Sequence, residues 1–495
     1  MKTLTIFKRS TLSLLTASVL AACAAPPFQQ PTMAVPAAYK EQGDVVTAAD
    51  GTRWQPLQSA PAQASGAWWL VFNDAVLNGL MADAGASNAN LAQAVARLKQ
   101  ARAMAGIAEA DRMVQVGVNA GAQRSAASPL SLGLPAGAPL PPSTVYQARL
   151  SASYEADLFG RVASNVDAAR LDAAAAEATY RSVLLSLQAD VAQTYFRLRE
   201  TDAELATLNE TVDLREQSVA LTERRYELGD IGEFDLSRAR TELSQARAEA
   251  IGLQRQRTTS EHALAVLLGK PASSFSASVQ PLGDQFDGTA GLPVIPAGLP
   301  SALLGRRPDI VQAQRAMEAA NARIGVARAA MFPALMLGAS AGGEGGSIAD
   351  VFQWSSRSWL LGALMAMPLI DGGRNQNNIA RSEAALEVSV AGYRQQVLSA
   401  FADVEDNLAG LRILAQQARQ TGEALASARR SEQLAHMLYV AGRTSYLDLL
   451  EAQRNLSTVE RSEVQLRGSR AVTTVALIRA LGGGWQMDTA AGDQR

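Results

Sequence analysis

The 495-residue chain has 45 Lys and Arg residues and 47 Asp and Glu residues, and the resulting net charge of −2 excludes the basic surface of a nucleic-acid-binding protein. Aromatic residues make up only 5% of the chain, whereas Ala, Leu, Gln, Arg and Glu dominate it. This composition is typical of long, closely packed helices, so we expect a mainly helical fold and no nucleic-acid partner.

The N-terminus has the features of a lipoprotein export signal. A basic start is followed by the short apolar run 11–22 and then by Cys23, the only cysteine in the chain. This spacing predicts a signal peptide over residues 1–22 and lipidation of Cys23, and the alternative is an ordinary signal peptide with a small buried cysteine. Ala24 follows the cysteine in place of an acidic residue, which favours delivery to the outer membrane. Residues 23–66 are rich in Pro, Ala and Gln and are predicted to form an extended tether.

The rest of the chain consists of two copies of one unit, separated by 213 positions. Residues of the same type recur at this distance: Arg161 and Arg374, Asp190 and Asp403, Tyr226 and Tyr439, Gly229 and Gly442, Asp235 and Asp448. The match needs no insertion from 161 to 269, which indicates a duplicated structural unit. We assign residues 67–290 to the first repeat, 291–484 to the second and 485–495 to a C-terminal tail.

Each repeat is predicted to contain a short helix, a β-hairpin, a long helix and a half-length helix. The predicted elements are 87–112, 113–158, 161–226 and 234–268 in the first repeat, and 309–331, 333–370, 374–439 and 447–481 in the second. Apolar residues recur every seven positions on both long helices, which is typical of a coiled coil, and each helix is about 100 Å long at ~1.5 Å per residue. The second seam of the first long helix is polar, which favours the wall of a tube with one wet side over a filled bundle; it consists of Thr194, Thr201, Arg215 and Thr222.

The predicted strands alternate with a period of two and carry little charge. One face of the last strand presents Trp359, Leu361, Ala363, Met365, Met367 and Leu369. Because an open four-stranded sheet in lipid leaves backbone groups unpaired, at a cost of several kcal/mol each, strands from several chains have to close one barrel. Three chains would form a 12-stranded membrane β-barrel that continues an α-helical coiled-coil tunnel. The alternative is a four-stranded β-domain that caps a helical body.

No arrangement of residues in the sequence predicts catalysis or a cofactor. His262 and His436 have no Cys or carboxylate partners at metal-ligand spacing. The segment Gly342–Gly346 lacks the Lys and Ser/Thr of a phosphate-binding loop and is interpreted as a flexible external loop. Arg306 and Arg307 are interpreted as a surface basic pair at the start of a helix. We therefore expect no enzyme activity, no metal and no cofactor.

Four motifs indicate a family when they are taken together. They are Trp68-Trp-Leu-Val-Phe-Asn-Asp74, Tyr154-Glu-Ala-Asp-Leu-Phe-Gly-Arg161, Leu303-Leu-Gly-Arg-Arg-Pro-Asp-Ile310 and the segment from Tyr439 to Arg454. The chain resembles the outer-membrane efflux factors, the TolC-like channels, and in particular their NodT-type lipoprotein subgroup. The resemblance covers nearly everything after Cys23. Ala75 and Gln314 depart from the family pattern, at positions where Pro and Glu are common.

The residues after the second turn are the candidate gate. Asp448, Glu451 and Arg454 are spaced by three and lie on about one face of a helix. The resemblance implies that the acidic positions line a constricted periplasmic entrance, as stacked rings in a trimer, whereas the alternative is that Asp448 only caps the helix. The turns at Gly229-Asp230 and Gly442-Arg443 are expected to be exposed tips that contact an adaptor protein.

The resemblance implies a homotrimer in the outer membrane that is lipid-anchored and extends into the periplasm. Its partners would be a periplasmic adaptor protein and an inner-membrane pump of the RND or ABC type. We expect a passive exit duct for drugs or other small toxic compounds. The alternatives are an exit duct for type I protein secretion and a coiled-coil scaffold lipoprotein that forms no channel.

Overall fold

The computed structural model describes residues 27–41, 66–283, 295, 298 and 300–483. Cys23 and the predicted tail 485–495 lie outside the described residues. The chain divides into two compact units. Unit 1 is drawn from Met1–Thr32, Arg97–Glu177 and Gln312–Arg394, and unit 2 from Met33–Ala96, Ala178–Val311 and Gln395–Arg495.

The described residues form mainly helices, together with four strands. In chain order the elements are α1 (Ala75–Ser87), α2 (Ala89–Ala110), β1 (Gln115–Ser125), β2 (Ser143–Ala156), α3 (Arg161–Glu227), α4 (Glu233–Leu267), α5 (Pro300–Arg306), α6 (Pro308–Ala329), β3 (Ala334–Gly345), α7 (Ile348–Val351), β4 (Arg357–Ala366), α8 (Arg374–Val440) and α9 (Tyr446–Ala480). The two longest helices, α3 and α8, have 67 residues each. No described helix is apolar enough over 18 residues to cross a membrane.

Unit 1 contains one antiparallel sheet with the strand order β1-β2-β3-β4. Each repeat contributes one hairpin, and β2 pairs with β3 to join the hairpins, with Tyr154 opposite Leu337. In the single chain β1 and β4 are the edge strands, and almost all of their side chains are exposed. Exposed edges with unpaired backbone groups are sites where further strands can pair.

Strand β3 is longer than the sequence predicted. The glycines at 342–345 were interpreted as part of a flexible loop, and this interpretation is wrong because they pair with Tyr146–Arg149 of β2. Glycine is required there because atoms of neighbouring segments come too close for a side chain. A Cβ on Gly342 would lie 2.7 Å from the Cα of Arg149, and one on Gly345 would lie 2.6 Å from the Cβ of Asp350.

Ion pairs connect the helices of unit 1. Arg102 of α2 contacts Glu177 of α3 at 3.0 Å, and Arg328 of α6 contacts Glu383 of α8 at 2.9 Å. All four side chains are at least one-third exposed. Pairs of this kind contribute about 0–1 kcal/mol each to stability. Their main effect is therefore on how the helices align with one another.

Unit 2 contains the largest apolar core. Asn88 separates α1 from α2, because its side-chain oxygen accepts the N–H of Leu91 and caps α2. Asp74 caps α1 in the same way and also accepts a hydrogen bond of 2.6 Å from the Tyr195 hydroxyl. The buried side chains of this core include Trp68, Phe72, Leu77, Met81, Tyr195, Phe196, Leu198, Leu264, Leu268 and Ile478.

The polar seam of α3 is buried within the single chain. Thr201, Arg215 and Thr222 are 3%, 4% and 1% exposed, so the interpretation of this seam as a wet wall is wrong at these positions. The two threonines satisfy their hydroxyl groups by donating to the carbonyl group four residues earlier, at 2.9 and 2.6 Å. Threonine can therefore occupy a buried helix face without a partner from another helix.

Arg307 is also buried, in contrast to the surface pair that the sequence predicted. Its guanidinium group contacts Asp309 at 2.7 Å and Asp403 at 2.9 Å, and it donates to the carbonyl oxygen of Ala480. Burial opposes the charge on Asp309, but the hydrogen bonds from Arg307 prevail and lower the pKa of Asp309. Arg307 thus ties the start of α6 to α8 and to the end of α9.

Candidate functional site

The candidate site lies in unit 2, where the two long helices end. Gly229 and Gly442 have φ angles of 77° and 67°, and each ends a long helix in the left-handed conformation. The N–H of Asp230 donates to Arg225 at 2.9 Å, and that of Arg443 donates to Leu438 at 2.8 Å. This hydrogen bond closes a Schellman turn, which is a common end for a helix. All four predicted tip residues are exposed.

The start of α9 is held by a capping box. The carboxylate of Asp448 accepts hydrogen bonds from the Ser445 hydroxyl and the Thr444 hydroxyl, both at 2.7 Å. In return, the N–H of Asp448 donates to the Ser445 hydroxyl at 3.2 Å. The hydrogen bond from Ser445 is the main reason why the pKa of Asp448 is lowered. Asp448 therefore has the capping role that the sequence left open as an alternative.

Arg454 contacts a different helix from the one that carries it. Its guanidinium group binds Glu242 of α4 through two nitrogens, with Nε at 3.0 Å from Oε2. Arg215 of α3 places Nη1 3.8 Å from the same carboxylate. Glu242 and Arg215 are 7% and 4% exposed, whereas the Arg454 side chain is half exposed. Three helices therefore meet at one buried carboxylate with an arginine on each side, which we call the entrance cluster (Arg215, Glu242 and Arg454).

The entrance cluster rests on apolar and aromatic side chains. The rings of Tyr439 and Tyr446 lie 5.8 Å apart, and the guanidinium group of Arg225 lies 5.1 Å from the centre of the Tyr439 ring. The same apolar cluster includes Val219, Ala239, Leu243, Leu449 and Leu450. Burial lowers the pKa of Arg215, although the charge of Glu242 opposes this effect. The acidic partner therefore stabilises a guanidinium group that water does not reach freely.

A second set of charges lies two helical turns further along the same helices. Arg461 of α9 donates to Glu204 of α3 at 3.0 Å and to Glu249 of α4 at 2.9 Å. Arg454 and Arg461 are seven residues apart, and so are Glu242 and Glu249. This matched spacing of opposite charges is visible in the sequence and could have predicted that α9 faces α4.

The three predicted gate residues have different contacts in the structure. Arg454 belongs to the entrance cluster, Asp448 caps its own helix, and Glu451 is exposed. The sequence did not identify Glu242 or Arg215 as site residues, because their contacts with each other and with Arg454 form only when α3, α4 and α9 pack. Among the described residues, no group of three or more His, Cys, Asp or Glu side chains is placed to hold a metal ion.

Two helical repeats that share one antiparallel sheet define the subunit of an outer-membrane channel. The chain belongs to the outer membrane efflux protein family, whose model matches residues 80–270 and 299–483. The chain is thus an outer-membrane efflux channel with a mainly helical fold.

Of three relatives, two are named as efflux proteins, and the third is named as a probable outer membrane lipoprotein. The cation efflux system protein CusC of Escherichia coli is 32% identical over 93% of this chain and 95% of its own length. The probable outer membrane lipoprotein SilC of Salmonella typhimurium is 31% identical over 97% and 100%. The toluene efflux pump outer membrane protein TtgC of Pseudomonas putida is 32% identical over 98% of both chains.

Solved structures of membrane proteins share the fold. A membrane protein from Pseudomonas aeruginosa superposes with a TM-score of 0.81 at 31% identity, and covers 93% of this chain and 100% of its own. The CmeC outer membrane channel of Campylobacter jejuni superposes with a TM-score of 0.85 at 22% identity, and covers 94% and 95%. The same fold is therefore also found in a channel with a lower sequence identity to this chain.

Proposed function

We propose that three copies of the chain form one channel that passes drugs or other small toxic compounds out of the cell. A periplasmic adaptor protein and an inner-membrane pump of the RND or ABC type would deliver these compounds. The observation that carries the proposal is the entrance cluster, in which the hairpins of both repeats are joined at their turn end. The relatives named for cation and toluene efflux support small compounds as substrates.

We propose that Cys23 carries a lipid that anchors the mature chain. Its position after the apolar run supports this, as does the lipoprotein name of the relative SilC. Mass spectrometry of the mature protein is expected to show acyl groups on Cys23 and none in a Cys23→Ser variant. The barrel strands are expected to keep the variant in the membrane. An unmodified Cys23 in the mature wild-type protein would refute the anchor.

We propose that the entrance cluster and the acids beside it form the gate. Glu451 and Asp448 lie near the turn, and three copies of each would attract cations to a narrow entrance. Replacing both with Ala is expected to weaken cation selectivity in bilayer recordings. Arg454 acts by a different route, because its contact with Glu242 joins α9 to α4. Unchanged selectivity in the double variant would exclude the two acids from the gate.

We propose that the exposed tips at Gly229-Asp230 and Gly442-Arg443 contact the adaptor protein. A Schellman hydrogen bond closes both turns, and all four residues are exposed. Cysteines placed at Asp230 or Arg443 are expected to cross-link to the adaptor in cells. Cross-links that form only at positions far from the turns would move the docking surface elsewhere.

The substrate class is tested by deleting the gene and measuring survival. The deletion strain is expected to become more sensitive to metal salts, organic solvents or antibiotics. The wild-type gene is expected to restore resistance. Normal resistance combined with the loss of a secreted polypeptide would support type I secretion instead. Normal resistance and normal secretion would support the scaffold alternative.

A further inference from the structure

In unit 2, an extended segment packs on the first long helix, α3. Arg199 of α3 is 4% exposed and donates to the carbonyl oxygens of Ser278 and Gln280, at 2.9 and 3.2 Å. Asp202, one turn later, accepts the N–H of Gln280 at 3.0 Å. The backbone of Leu282 donates to the carbonyl group of Arg199 at 3.1 Å. Residues 278–282 are therefore fixed along α3 by their main-chain groups.

A segment from the N-terminal part of the chain packs on the second long helix, α8. The carboxylate of Glu405 accepts two main-chain hydrogen bonds, from the N–H of Lys40 at 2.8 Å and from that of Glu41 at 2.9 Å. Arg412 donates to the Glu41 carboxylate at 2.6 Å. The Tyr39 side chain is only 4% exposed. Glu405 and Arg412 are two turns apart, so both face the same segment.

The two packed segments occupy related places. Arg412 lies 213 positions after Arg199, which is the distance between the two repeats. The acidic residue is not related in this way, because Ala415 corresponds to Asp202 and Ala192 corresponds to Glu405. On α3 the arginine holds main-chain carbonyl groups, whereas on α8 the glutamate holds main-chain N–H groups. The repeats have thus diverged so that each binds a different extended segment.

We propose that α8 carries a docking site for the N-terminal segment of this chain. Glu405 and Arg412 are its binding residues, and they hold residues 39–41, which we call the latch. A carboxylate that accepts two N–H groups makes charge-assisted bonds, which are about twice as strong as neutral ones. The latch lies 16 residues after Cys23. Residues 39–41 of the predicted extended tether are therefore attached to α8.

A lysine-specific protease tests the latch in the full-length protein. After the predicted signal peptide the chain has only three lysines, Lys40, Lys99 and Lys270. The bond between Lys40 and Glu41 lies inside the latch, so the protease requires local release before it can cut. Glu405→Gln is expected to raise the cleavage rate after Lys40 at least tenfold. Cleavage after Lys99 and Lys270 is expected to stay unchanged.

A matched control removes a neighbouring acid that lies outside the latch. Asp406 is exposed on α8, and Asp406→Asn is expected to leave cleavage after Lys40 at the wild-type rate. Equal rates in the wild-type protein and Glu405→Gln would overturn the proposal. If Glu405→Gln also accelerates cleavage elsewhere, Arg412→Gln replaces it, since this variant removes the ion pair with Glu41 and leaves both residues at the cleaved bond unchanged. Faster cleavage after Lys40 in that variant supports the latch, and an unchanged rate overturns it.

Discussion

Glu242 is the residue on which the charges of the entrance cluster converge. It is buried between Arg215, which is also buried, and Arg454, which is half exposed. Removing one partner of a buried ion pair leaves a charge without compensation, and this loss exceeds the net stabilisation by the pair. The three residues therefore contribute unequally to stability, although all three belong to one cluster.

Glu242→Gln is expected to lower the free energy of unfolding by about 3–5 kcal/mol, because it leaves Arg215 buried without its acidic neighbour. Arg454→Ala is expected to lower it by about 1 kcal/mol, since the Arg454 side chain is half exposed and Arg215 still faces Glu242. Denaturant unfolding of the purified protein measures both. The exposed Glu451→Gln is the control and is expected to have no effect. Equal losses in the first two variants would contradict this ranking.

Glu200 is expected to make stability depend on pH. It packs over Gly468 of α9, where a Cβ would collide with its carboxyl group. Burial, together with a smaller contribution from the charge of Glu204, raises the pKa of Glu200 to about 7, while Arg197 opposes both. Because the folded-state pKa exceeds the ordinary value of 4.5, the stability that this group contributes is complete below pH 4.5 and is lost as the pH rises through about 7.

Glu200→Gln removes this titration and is expected to flatten the stability profile between about pH 5 and pH 8. The wild-type protein is expected to lose about 1–2 kcal/mol over that range, a figure reduced for the partial exposure of the side chain. Thermal unfolding at several pH values measures the profile. Glu210→Gln, an exposed change on the same helix, is expected to keep the wild-type slope. A wild-type slope in Glu200→Gln would contradict the assignment.

At the scale of whole elements, glycine has two opposite roles in α8. Gly442 lies just after the helix with a φ angle of 67°, which a residue with a side chain adopts only with strain. Gly422 lies inside the helix, and a Cβ placed there would meet no neighbouring atom within 4 Å. The same substitution is therefore expected to change stability in opposite directions at the two positions.

Gly442→Ala is expected to lower the free energy of unfolding by about 1–2 kcal/mol, because its native conformation strains a side chain. Gly422→Ala is expected to raise it by about 0.5–1 kcal/mol, since alanine restricts the unfolded chain and favours a helix. Apparent melting temperatures of the two variants give the comparison. If both variants lose stability, the loss in Gly442→Ala cannot be assigned to strain in the turn.

The sequence predicted the types of element well, because two patterns dominate it. A seven-residue apolar repeat without proline indicated the long helices, and alternation with a period of two indicated the strands. The fold class is confirmed by the fold of related channels. The extent of β3 was wrong, because sequence rules treat a run of glycines as a loop when the neighbouring backbone is unknown.

The candidate site was harder to predict than the fold. The capping role of Asp448 depends on local residues and could be stated from the sequence as an alternative. The contact of Arg454 with Glu242 joins residues 212 positions apart, so it required knowledge of which helices pack. Buried threonines misled the interpretation of the α3 seam, because a threonine hydroxyl can be satisfied by its own helix.

At the scale of the whole molecule, the sheet indicates assembly. One chain provides four strands, and in the described residues neither β1 nor β4 has a strand on its outer side. Three copies would supply 12 strands and pair every edge. We expect the detergent-solubilised protein to have three times the mass of one chain by native mass spectrometry. A stable monomer that still conducts ions would contradict the shared barrel.

The central claim is that the chain forms a channel and that the entrance cluster (Arg215, Glu242 and Arg454) keeps its entrance narrow. Single-channel recording in planar bilayers tests this claim most directly. The wild-type protein is expected to show small, uniform conductance steps. Arg454→Ala is expected to show larger steps, because the ion pair that joins α9 to α4 near the turn is lost, whereas the exposed change Arg443→Ala is expected to leave the steps unchanged. Steps of the same size in Arg454→Ala and the wild-type protein, or no steps from either, would contradict the account.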